Sequence, residues 1–510
     1  MDKKEVLAAI EIVRKYNTET DRIEVKTAKG GFPKKCYDTF SSFSNKYGGI
    51  IIFGLNEENN FATEGVYDVN DIQKQITNMC SDAMEPIIRP DIISMEFEGK
   101  NIVAVKIEEL EQYKKPCYYK PSGIKNGSYT RVGDRDDKLT DYELYSLQSY
   151  RGHIFEDIRP NKRATLADLD IEKLKKYIDS IKEYKPKFAK NDFNKCLKIC
   201  GIIDTNEDES YPTLAGIMTF GEYPQTFYPQ LFVACVVVPG VKIGDKGQFG
   251  ERFLDNKRIE GTIEEMLNGT MTFLARNMKN RVIIDETGKR EDRTEYPLDA
   301  LREAVANALV HRDYSIQTET AYISVNMYSD RIEIINPGNL YGINRLENIS
   351  SSSNMEVRNP TIVRILEESG SIIENRHSGI PTMKREMKKY GLREPEFYDE
   401  RDSFKVVFRN EIVGTNNQEQ EDEPANIDEL TKKVLEFCVI PRSAKEIEEH
   451  LGGYPKRNLI KNIIKPLINI EKIEYINKSR INAKNQKYKT ICSLKCEPQM
   501  QNILSKNNFT

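Results

Sequence analysis

Acidic residues and a lysine gather around one predicted strand near the N-terminus. In RIEVKTA (22–28), Glu24 and Lys26 share one face of the strand, while Glu19 precedes it and Glu57 follows the next predicted strand. Carboxylates can hold Mg²⁺ or Mn²⁺ for phosphodiester cleavage, and a lysine can stabilise developing charge or orient water. An exposed Glu–Lys pair on a strand would show the same spacing. The pattern alone therefore leaves a metal-dependent nuclease and an ordinary surface pair both open.

A second set of polar residues recurs at four-residue intervals in DALREAVANALVHRDYS (299–315). Apolar periodicity predicts a helix over 298–310, and residues four apart lie on the same side of a helix. Glu303, Asn307 and His311 therefore share one face. A solvated polar stripe has the same period, so this helix alone does not decide between a site and a surface.

The segments that follow add features that suit a nucleotide. A predicted hairpin over 322–340 runs into Asn336-Pro337-Gly338, where a polar side chain and a glycine allow the backbone to approach a flat ligand. Ser378 and Gly379 precede a predicted helix, whose N-terminus would attract phosphate through its N–H groups and dipole. The sequence contains no GxxxxGK[ST] motif, which excludes a P-loop ATPase.

Together these motifs resemble the GHKL (histidine-kinase/gyrase-type) ATPase superfamily, in the RecG-like version fused to Schlafen-type domains. The resemblance covers about residues 295–410 and implies a Bergerat α/β sandwich that binds ATP and Mg²⁺. It implies that Glu303 positions or deprotonates the attacking water, that Asn307 ligates Mg²⁺, and that residues 340–380 form a lid. Asn336 would face the adenine amino group. The other nucleotide-binding residues that the resemblance implies are His311, Asp313, Gly338, Ser378 and Gly379.

Two positions depart from the superfamily pattern. Asn336 stands where the superfamily usually has Asp, although an amide oxygen can still accept a hydrogen bond from adenine. His377-Ser378-Gly379 replaces the glycine pair at the end of the lid. A degenerate site that binds ATP only as a structural ligand is therefore an alternative.

The N-terminal motif Glu-Thr-x3-Glu-x-Lys, followed by Ser-Phe-Ser-Asn-x2-Gly-Gly and Gly-Leu-Asn-Glu, resembles the Schlafen AlbA-like domain over about 15–150. The resemblance implies nucleic-acid binding and, in some members, metal-dependent cleavage of structured RNA such as tRNA. It carries metal-binding and catalytic roles to Glu19, Glu24 and Glu57, with Lys26 beside them; nuclease members commonly have Asp at the third position. The alternative is an ATP-responsive transcriptional regulator that binds duplex DNA without cutting it.

A basic segment follows the polar linker at 413–426. Residues 427–490 fit three short helices and a hairpin, the pattern of a winged helix, which binds DNA or mediates protein contacts. Its third helix and its wing present a set of basic residues for nucleic-acid phosphates. The predicted nucleic-acid contacts are Lys456, Arg457, Lys461, Lys478, Arg480, Lys484 and Lys487.

Bulk composition bounds these interpretations. With 510 residues and a net charge of −4, the chain should form three or four domains and not one strongly basic body. It has no run of about 18 apolar residues and no signal-peptide pattern, so we expect a cytoplasmic protein without membrane contact. The pairs Cys196/Cys200 and Cys492/Cys496 lack nearby partners for zinc and are expected to be packed free thiols.

The sequence thus predicts an α+β multidomain protein. Its expected function is that of an ATP-binding, ATP-hydrolysing effector that acts on DNA or structured RNA, with a possible metal-dependent nuclease. The superfamily resemblance implies a homo-oligomer, at least a dimer, and a role in bacterial anti-phage defence is an analogy. The predicted blocks are 1–150 (Schlafen AlbA-like), 151–290 (α/β connecting), 291–412 (GHKL-like), 413–426 (linker) and 427–510 (winged helix with tail).

Overall fold

The computed structural model divides the chain into two compact units, Met1–Val413 and Gly414–Thr510, which we describe separately. The described residues are 1–33, 35–206, 209–284, 290–350, 355–370, 379–411, 433–435, 437–451, 459, 463–464, 467–468, 472–476 and 487–490.

The first unit begins with a four-stranded sheet in the order β1-β2-β7-β6, in which β1 and β2 are parallel and the other pairs antiparallel. Capping boxes at Asp2/Glu5 and Thr140/Glu143 begin the helices Lys3–Tyr16 and Asp141–Arg151. The elements are α1 (Lys3–Tyr16), β1 (Ile23–Lys26), α2 (Cys36–Asn45), β2 (Gly49–Phe53), β3 (Leu55–Asn56), β4 (Ala62–Thr63), α3 (Val69–Asn78), β5 (Met84–Glu85), β6 (Asp91–Phe97), β7 (Lys100–Ile107), β8 (Tyr118–Tyr119), α4 (Gly123–Gly127), β9 (Tyr129–Val132), β10 (Arg135–Lys138) and α5 (Asp141–Arg151).

This sheet is covered on both faces because alternate side chains of its strands point to opposite sides. Ile52 and Ile102 pack with helix α1 in one core, whereas Ile51 and Val103 belong to a second core with α2 and α3. Ile23 and Val25 face α1. Glu24, between them, is therefore directed to the α2 side of the sheet.

A six-stranded sheet in the order β14-β13-β17-β18-β20-β19 forms the centre of the rest of the unit. Only β13 and β17 are parallel among its neighbouring pairs. The elements are α6 (Ile171–Tyr184), α7 (Pro186–Ala189), α8 (Phe193–Ile199), β11 (Ile203–Asn206), β12 (Glu209–Pro212), α9 (Leu214–Phe220), α10 (Pro224–Phe227), β13 (Val233–Val237), β14 (Asp255–Ile259), α11 (Ile263–Asn277), β15 (Asn280–Ile284), β16 (Arg290–Thr294), α12 (Leu298–Val310), β17 (Ile323–Met327), β18 (Arg331–Pro337), α13 (Pro360–Ser369), α14 (Gly379–Lys389), β19 (Glu396–Asp399) and β20 (Ser403–Arg409).

Short helical turns complete the unit. They are the 3₁₀ turns Glu57–Asn59, Gln112–Lys114, Lys120–Ser122, Glu156–Ile158 and Leu166–Asp168, and the π turn Met79–Ala83.

One hydrophobic core runs from residue 164 to residue 408 and includes the buried sides of α11 and α12. Helix α12 buries Leu301, Val305 and Leu309, which recur every four residues and leave its polar side to other contacts. Strands β13 and β14 come from the predicted connecting block but share a sheet with β17 to β20. The predicted boundary at 290 therefore does not separate two cores.

In the second unit, β21 (Arg442–Ser443), β22 (Ile473–Tyr475) and β23 (Lys487–Thr490) form a sheet in the order β21-β23-β22, and α15 (Ala444–His450) follows β21. The antiparallel pair β22–β23 lies where the sequence predicts a wing. The third predicted helix falls largely outside the described residues, so the winged helix stays a prediction.

Two sequence expectations concern the whole chain. Across the described ranges, no helix has the length and apolar character needed to span a bilayer. The described cysteines, Cys196 and Cys200 among them, are buried and unbridged, while Cys492 and Cys496 lie outside the described residues.

Candidate functional site

A cavity of about 240 Å³ opens beside helix α12. One wall is the polar side of that helix, and Ile334 and Asn336 of β18 contribute from the sheet. Helix α14, helix α13 and the described residues 339–349 and 355–358 enclose the remaining sides. The polar and glycine residues of the lining are Glu303, Asn307, His311, Asn336, Gly338, Asn339, Asn344, Glu356, Arg358, Glu367 and Gly379.

Glu303 and Asn307 meet the start of helix α14 inside this cavity. A Cβ atom at Gly379 would lie 2.3 Å from Glu303 Oε1 and 2.9 Å from Asn307 Nδ2. Any side chain at position 379 would displace one of these groups. The structure thus brings three of the predicted residues together, a carboxylate, an amide and the first residue of a helix.

Asn336 provides an unsatisfied polar atom on the sheet side of the cavity. Asn336 is 6% exposed, and its side-chain Oδ1 has no hydrogen-bond partner. A buried amide oxygen without a partner is unfavourable, commonly by about 1–3 kcal/mol. The atom is a ready acceptor for a donor on a ligand, such as the amino group that the sequence resemblance assigns to it.

Asp313 lies outside the cavity lining, whereas Gly338 lies in it. Asp313 does not line the cavity; Arg358 binds its Oδ2, the Tyr142 O–H donates to that atom at 2.8 Å, and the Ser315 N–H donates to Oδ1 at 2.9 Å. Gly338, at φ +106°, is required by the chain itself, since a Cβ there would lie 2.5 Å from Asp313 Cβ.

Electrostatics explain why the Asp313 carboxylate tolerates burial. Burial opposes its charge, but the Arg358 guanidinium and the Ser315 N–H outweigh burial and hold the pKa of Asp313 below its ordinary value. The Asp313–Arg358 pair therefore helps to fix the cavity wall, which Arg358 lines.

The two remaining predicted residues of this site are His311, which the structure describes, and Ser378, which it does not. His311 caps the C-terminus of α12 with its backbone N–H donating to Asn307 O at 2.9 Å, and its side chain lines the cavity. Ser378 lies outside the described residues, as do 351–354 and 371–377 of the predicted lid.

In the N-terminal part, Glu24 is held by a buried arginine that is not among the predicted site residues. Arg131, 2% exposed, contacts Glu24 Oε2 at 2.7 Å and Asp136 Oδ1 at 3.0 Å. Lys26 also contacts the Glu24 carboxylate. Burial would lower the pKa of Arg131, but the two carboxylates outweigh burial and raise it. Glu24 therefore has a structural role in the core between β1 and β9.

Glu19 lies beside this ion pair. Its Oε1 accepts the Val25 N–H at 2.7 Å, and its Oε2 is 3.9 Å from Arg131. Burial and the neighbouring Glu24 carboxylate raise the pKa of Glu19 to about 8. Glu19 also lines a shallow surface pocket with Lys46 and Tyr47.

Glu57 does not join these groups. It lies exposed on the turn Glu57–Asn59 after β3. Among the described residues, which include all three predicted ligands, no three His, Cys, Asp or Glu side chains are arranged to hold a metal ion. The structure thus brings Glu19, Glu24 and Lys26 together but leaves Glu57 apart.

Arg131 and Arg358 were missed for a common reason. Both act through long-range ion pairs, with Glu24 and Asp313, that local spacing does not reveal. The Tyr-x-Arg-x-Gly strand at 129–133 was a weak signal, since an arginine inside a core strand needs a buried acid.

Of the predicted nucleic-acid contacts in the second unit, Lys487 lies exposed at the start of β23. The other six lie outside the described residues: Lys456, Arg457, Lys461, Lys478, Arg480 and Lys484.

Comparison with protein-family models identifies two known domains. Residues 19–140 match "Schlafen, AlbA_2", and residues 320–408 match "Putative ATP-dependent DNA helicase recG C-terminal". Residues 147–234 match a domain of unknown function, DUF8451. The two resemblances and the α+β multidomain class are thereby confirmed. The RecG-type match begins after helix α12, so it does not include Glu303 or Asn307.

Comparisons with individual proteins add two distant likenesses. The DIP2311 protein from Corynebacterium diphtheriae aligns over 99% of both chains at 16% identity and a TM-score of 0.38. The N-terminal domain of a putative ATP-dependent DNA helicase RecG-related protein from Nitrosomonas europaea covers 26% of this chain and 92% of its own, at 24% identity and a TM-score of 0.22. No curated protein sequence matches the chain.

Proposed function

We propose that the protein binds and hydrolyses ATP in the cavity beside α12 and uses it to act on nucleic acid through the Schlafen AlbA_2 domain. The observation that carries the proposal is the unpartnered Oδ1 of buried Asn336 in the same cavity as Glu303 and Asn307. An acceptor for a base thus lies in one space with a carboxylate and an amide suited to the phosphate end.

In this proposal the residues of the cavity have distinct tasks. Asn336 accepts a hydrogen bond from the adenine amino group, which satisfies its amide oxygen. Glu303 orients a water molecule at the terminal phosphate and accepts its proton. Gly379 keeps the start of helix α14 close enough for its N–H groups to reach phosphate oxygens.

The cavity also fits a magnesium ion. Asn307 would hold it through its amide oxygen, a hard ligand of the type Mg²⁺ accepts together with phosphate oxygens. The ion would neutralise phosphate charge and orient the reacting group.

The test separates binding from hydrolysis. Glu303→Gln should keep ATP affinity within a few-fold and lower the hydrolysis rate by roughly 100-fold or more, because the base is lost. Asn307→Ala should weaken Mg²⁺-dependent binding of a fluorescent ATP analogue. Asp299→Asn, on the same helix at an exposed position, is the matched control. ATP binding without turnover, unchanged by Glu303→Gln, would instead support a structural nucleotide.

For the N-terminal domain we propose nucleic-acid binding, supported by its match to the Schlafen AlbA_2 model. Cleavage stays a prediction from the resemblance, because Glu24 is bound to Arg131 and Glu57 lies apart from it. Incubation of the protein with Mn²⁺ or Mg²⁺ and tRNA, single-stranded DNA or duplex DNA decides the matter. Glu19→Gln is the better variant, since Glu24→Ala would also leave Arg131 without its acid.

Intact substrates, together with tight and salt-sensitive duplex binding, would favour the transcriptional regulator. The dimer and the defence role also stay predictions. The first is tested by the mass of the protein in solution with and without ATP, and the second by phage infection of cells that express the Glu303→Gln variant.

A further inference from the structure

Helix α5, which directly follows the residues matched by the Schlafen AlbA_2 model, packs against the wall of the nucleotide cavity. Its Tyr150 O–H donates to Glu356 Oε1 at 2.9 Å, and the Tyr150 and Tyr341 rings meet edge to face at 5.4 Å between centroids. In the first turn of the helix, the Tyr142 O–H donates to Asp313 Oδ2. Glu356 and Tyr341 both line the cavity.

Glu356 organises the wall that Tyr150 contacts. Its Oε2 accepts the Ile343 N–H at 3.1 Å, and its backbone exchanges two hydrogen bonds with the Asn344 side chain, at 2.8 and 3.0 Å. The turn at 341–344 is thereby tied to Glu356. Since Asn344 also lines the cavity, the position of Glu356 sets the shape of this side.

Tyr142 acts on the same wall through the buried ion pair. Arg358 binds Asp313, and its Nη2 donates to Asn339 O at 2.7 Å. Asn339 and Arg358 line the cavity, and Arg358 also lies 5.2 Å from the centre of the Tyr341 ring. The two tyrosines of α5 therefore support the same wall, Tyr150 directly at Glu356 and Tyr142 through Asp313 and Arg358.

Further contacts attach this side of the cavity to the body of the N-terminal domain. Arg345, between the two tied segments, binds Glu109, which also binds buried Lys115. Arg401 lies 3.0 Å from Asp137. These two ion pairs are the contacts through which a shift of this side of the cavity on ligand binding would reach the N-terminal domain.

We infer that Tyr142 and Tyr150 are positioning residues of the nucleotide site, so that helix α5, directly after the N-terminal domain, supports the cavity wall from behind. The inference rests on the proposed function and adds a consequence. Nucleotide binding and nucleic-acid binding must then be linked, each changing the affinity for the other by the same factor. The link operates within one chain and requires no second protomer.

The experiment compares tyrosines on one helix. Tyr150→Phe and Tyr142→Phe/Tyr150→Phe should each keep the rings and lose only hydroxyl groups. We expect binding of a fluorescent ATP analogue to weaken roughly three- to tenfold in the single variant and further in the double variant. Tyr145→Phe is the matched control, because that hydroxyl binds Glu156 and does not contact the cavity wall.

The second measurement is the effect of nucleotide on oligonucleotide affinity, which a loss of stability alone would not change. The affinity for a labelled single-stranded oligonucleotide is measured with and without a non-hydrolysable ATP analogue. The ratio of the two affinities should differ from one in the natural protein and in Tyr145→Phe, and approach one in the double variant.

The outcomes separate the inference from the function on which it rests. If the natural protein binds no nucleotide, the proposed function fails, and the inference with it. If it binds nucleotide and the double variant behaves identically in both measurements, the inference alone is overturned. An equal loss in Tyr145→Phe would also overturn it, because the effect would then belong to the helix as a whole.

Discussion

Gly379 lies directly against the carboxylate of Glu303, so close that a methyl group at position 379 would stand 2.3 Å from Glu303 Oε1. Gly379→Ala should therefore displace Glu303 or push helix α14 outwards. We expect ATP hydrolysis to fall at least tenfold, while the unfolding temperature changes little. Gly30→Ala is the control, because a Cβ there meets nothing within 4 Å. Normal hydrolysis by Gly379→Ala would contradict the placement of α14 over the site.

Asn336 should show opposite effects on binding and stability. Asn336→Leu removes a buried amide oxygen that has no partner, so the free energy of unfolding should stay the same or rise by about 1 kcal/mol. Loss of the acceptor should weaken ATP binding by roughly tenfold or more. Calorimetric titration and chemical denaturation measure the two quantities. A variant that is destabilised but binds ATP normally would argue that the amide serves the fold.

The Asp313–Arg358 pair should make a large contribution to stability. Asp313→Asn would leave the Arg358 charge buried without its acid, which costs about 3–5 kcal/mol. Asp137→Asn is the matched control, because its pair with Arg401 is about one-third exposed and worth less than about 1 kcal/mol. Chemical denaturation at neutral pH measures both. Equal losses would show that burial of the first pair has no special effect.

Glu19 should make stability fall as pH rises. Its pKa is about 8 in the folded protein against an ordinary 4.5, so the folded state holds a proton that the unfolded state releases. The stability from this group is complete below pH 4.5 and is lost as pH rises through about 8. Glu19→Gln removes this dependence.

The gain of Glu19→Gln over the natural protein should thus be larger at pH 8 than at pH 5, by about 1–3 kcal/mol given the coupling to Glu24 and Arg131. Glu57→Gln, at an exposed position, is the control. A gain of the same size at both pH values would contradict the shifted pKa.

Periodicity predicted the regular elements well where burial followed a simple repeat. The helix predicted over 298–310 is helix α12, and the hairpin predicted over 322–340 contains strands β17 and β18. One sheet continues across the boundary predicted at 290, because β13 pairs with β17 across about ninety residues, and the sequence of neither strand identifies its partner.

The candidate site was predictable to the extent that it lies on single elements. Glu303, Asn307 and His311 share a helix, and their common face follows from four-residue spacing. Asp313 follows directly in sequence, yet the turn after the helix points it to Arg358 and Tyr142, away from the cavity. Contacts with residues far along the chain decide which of these polar side chains faces the cavity. The local sequence does not reveal those contacts.

The mixed origin of the six-stranded sheet has a practical consequence for dissecting this protein. A fragment that begins near residue 291 would lack β13 and β14, and the apolar strand Ile323–Met327 would become an open edge able to pair with other molecules. Such a fragment should aggregate. A lack of ATPase activity in the fragment would therefore not test the role of Glu303. Expression of the part that contains the cavity therefore has to start upstream of α6, before residue 160.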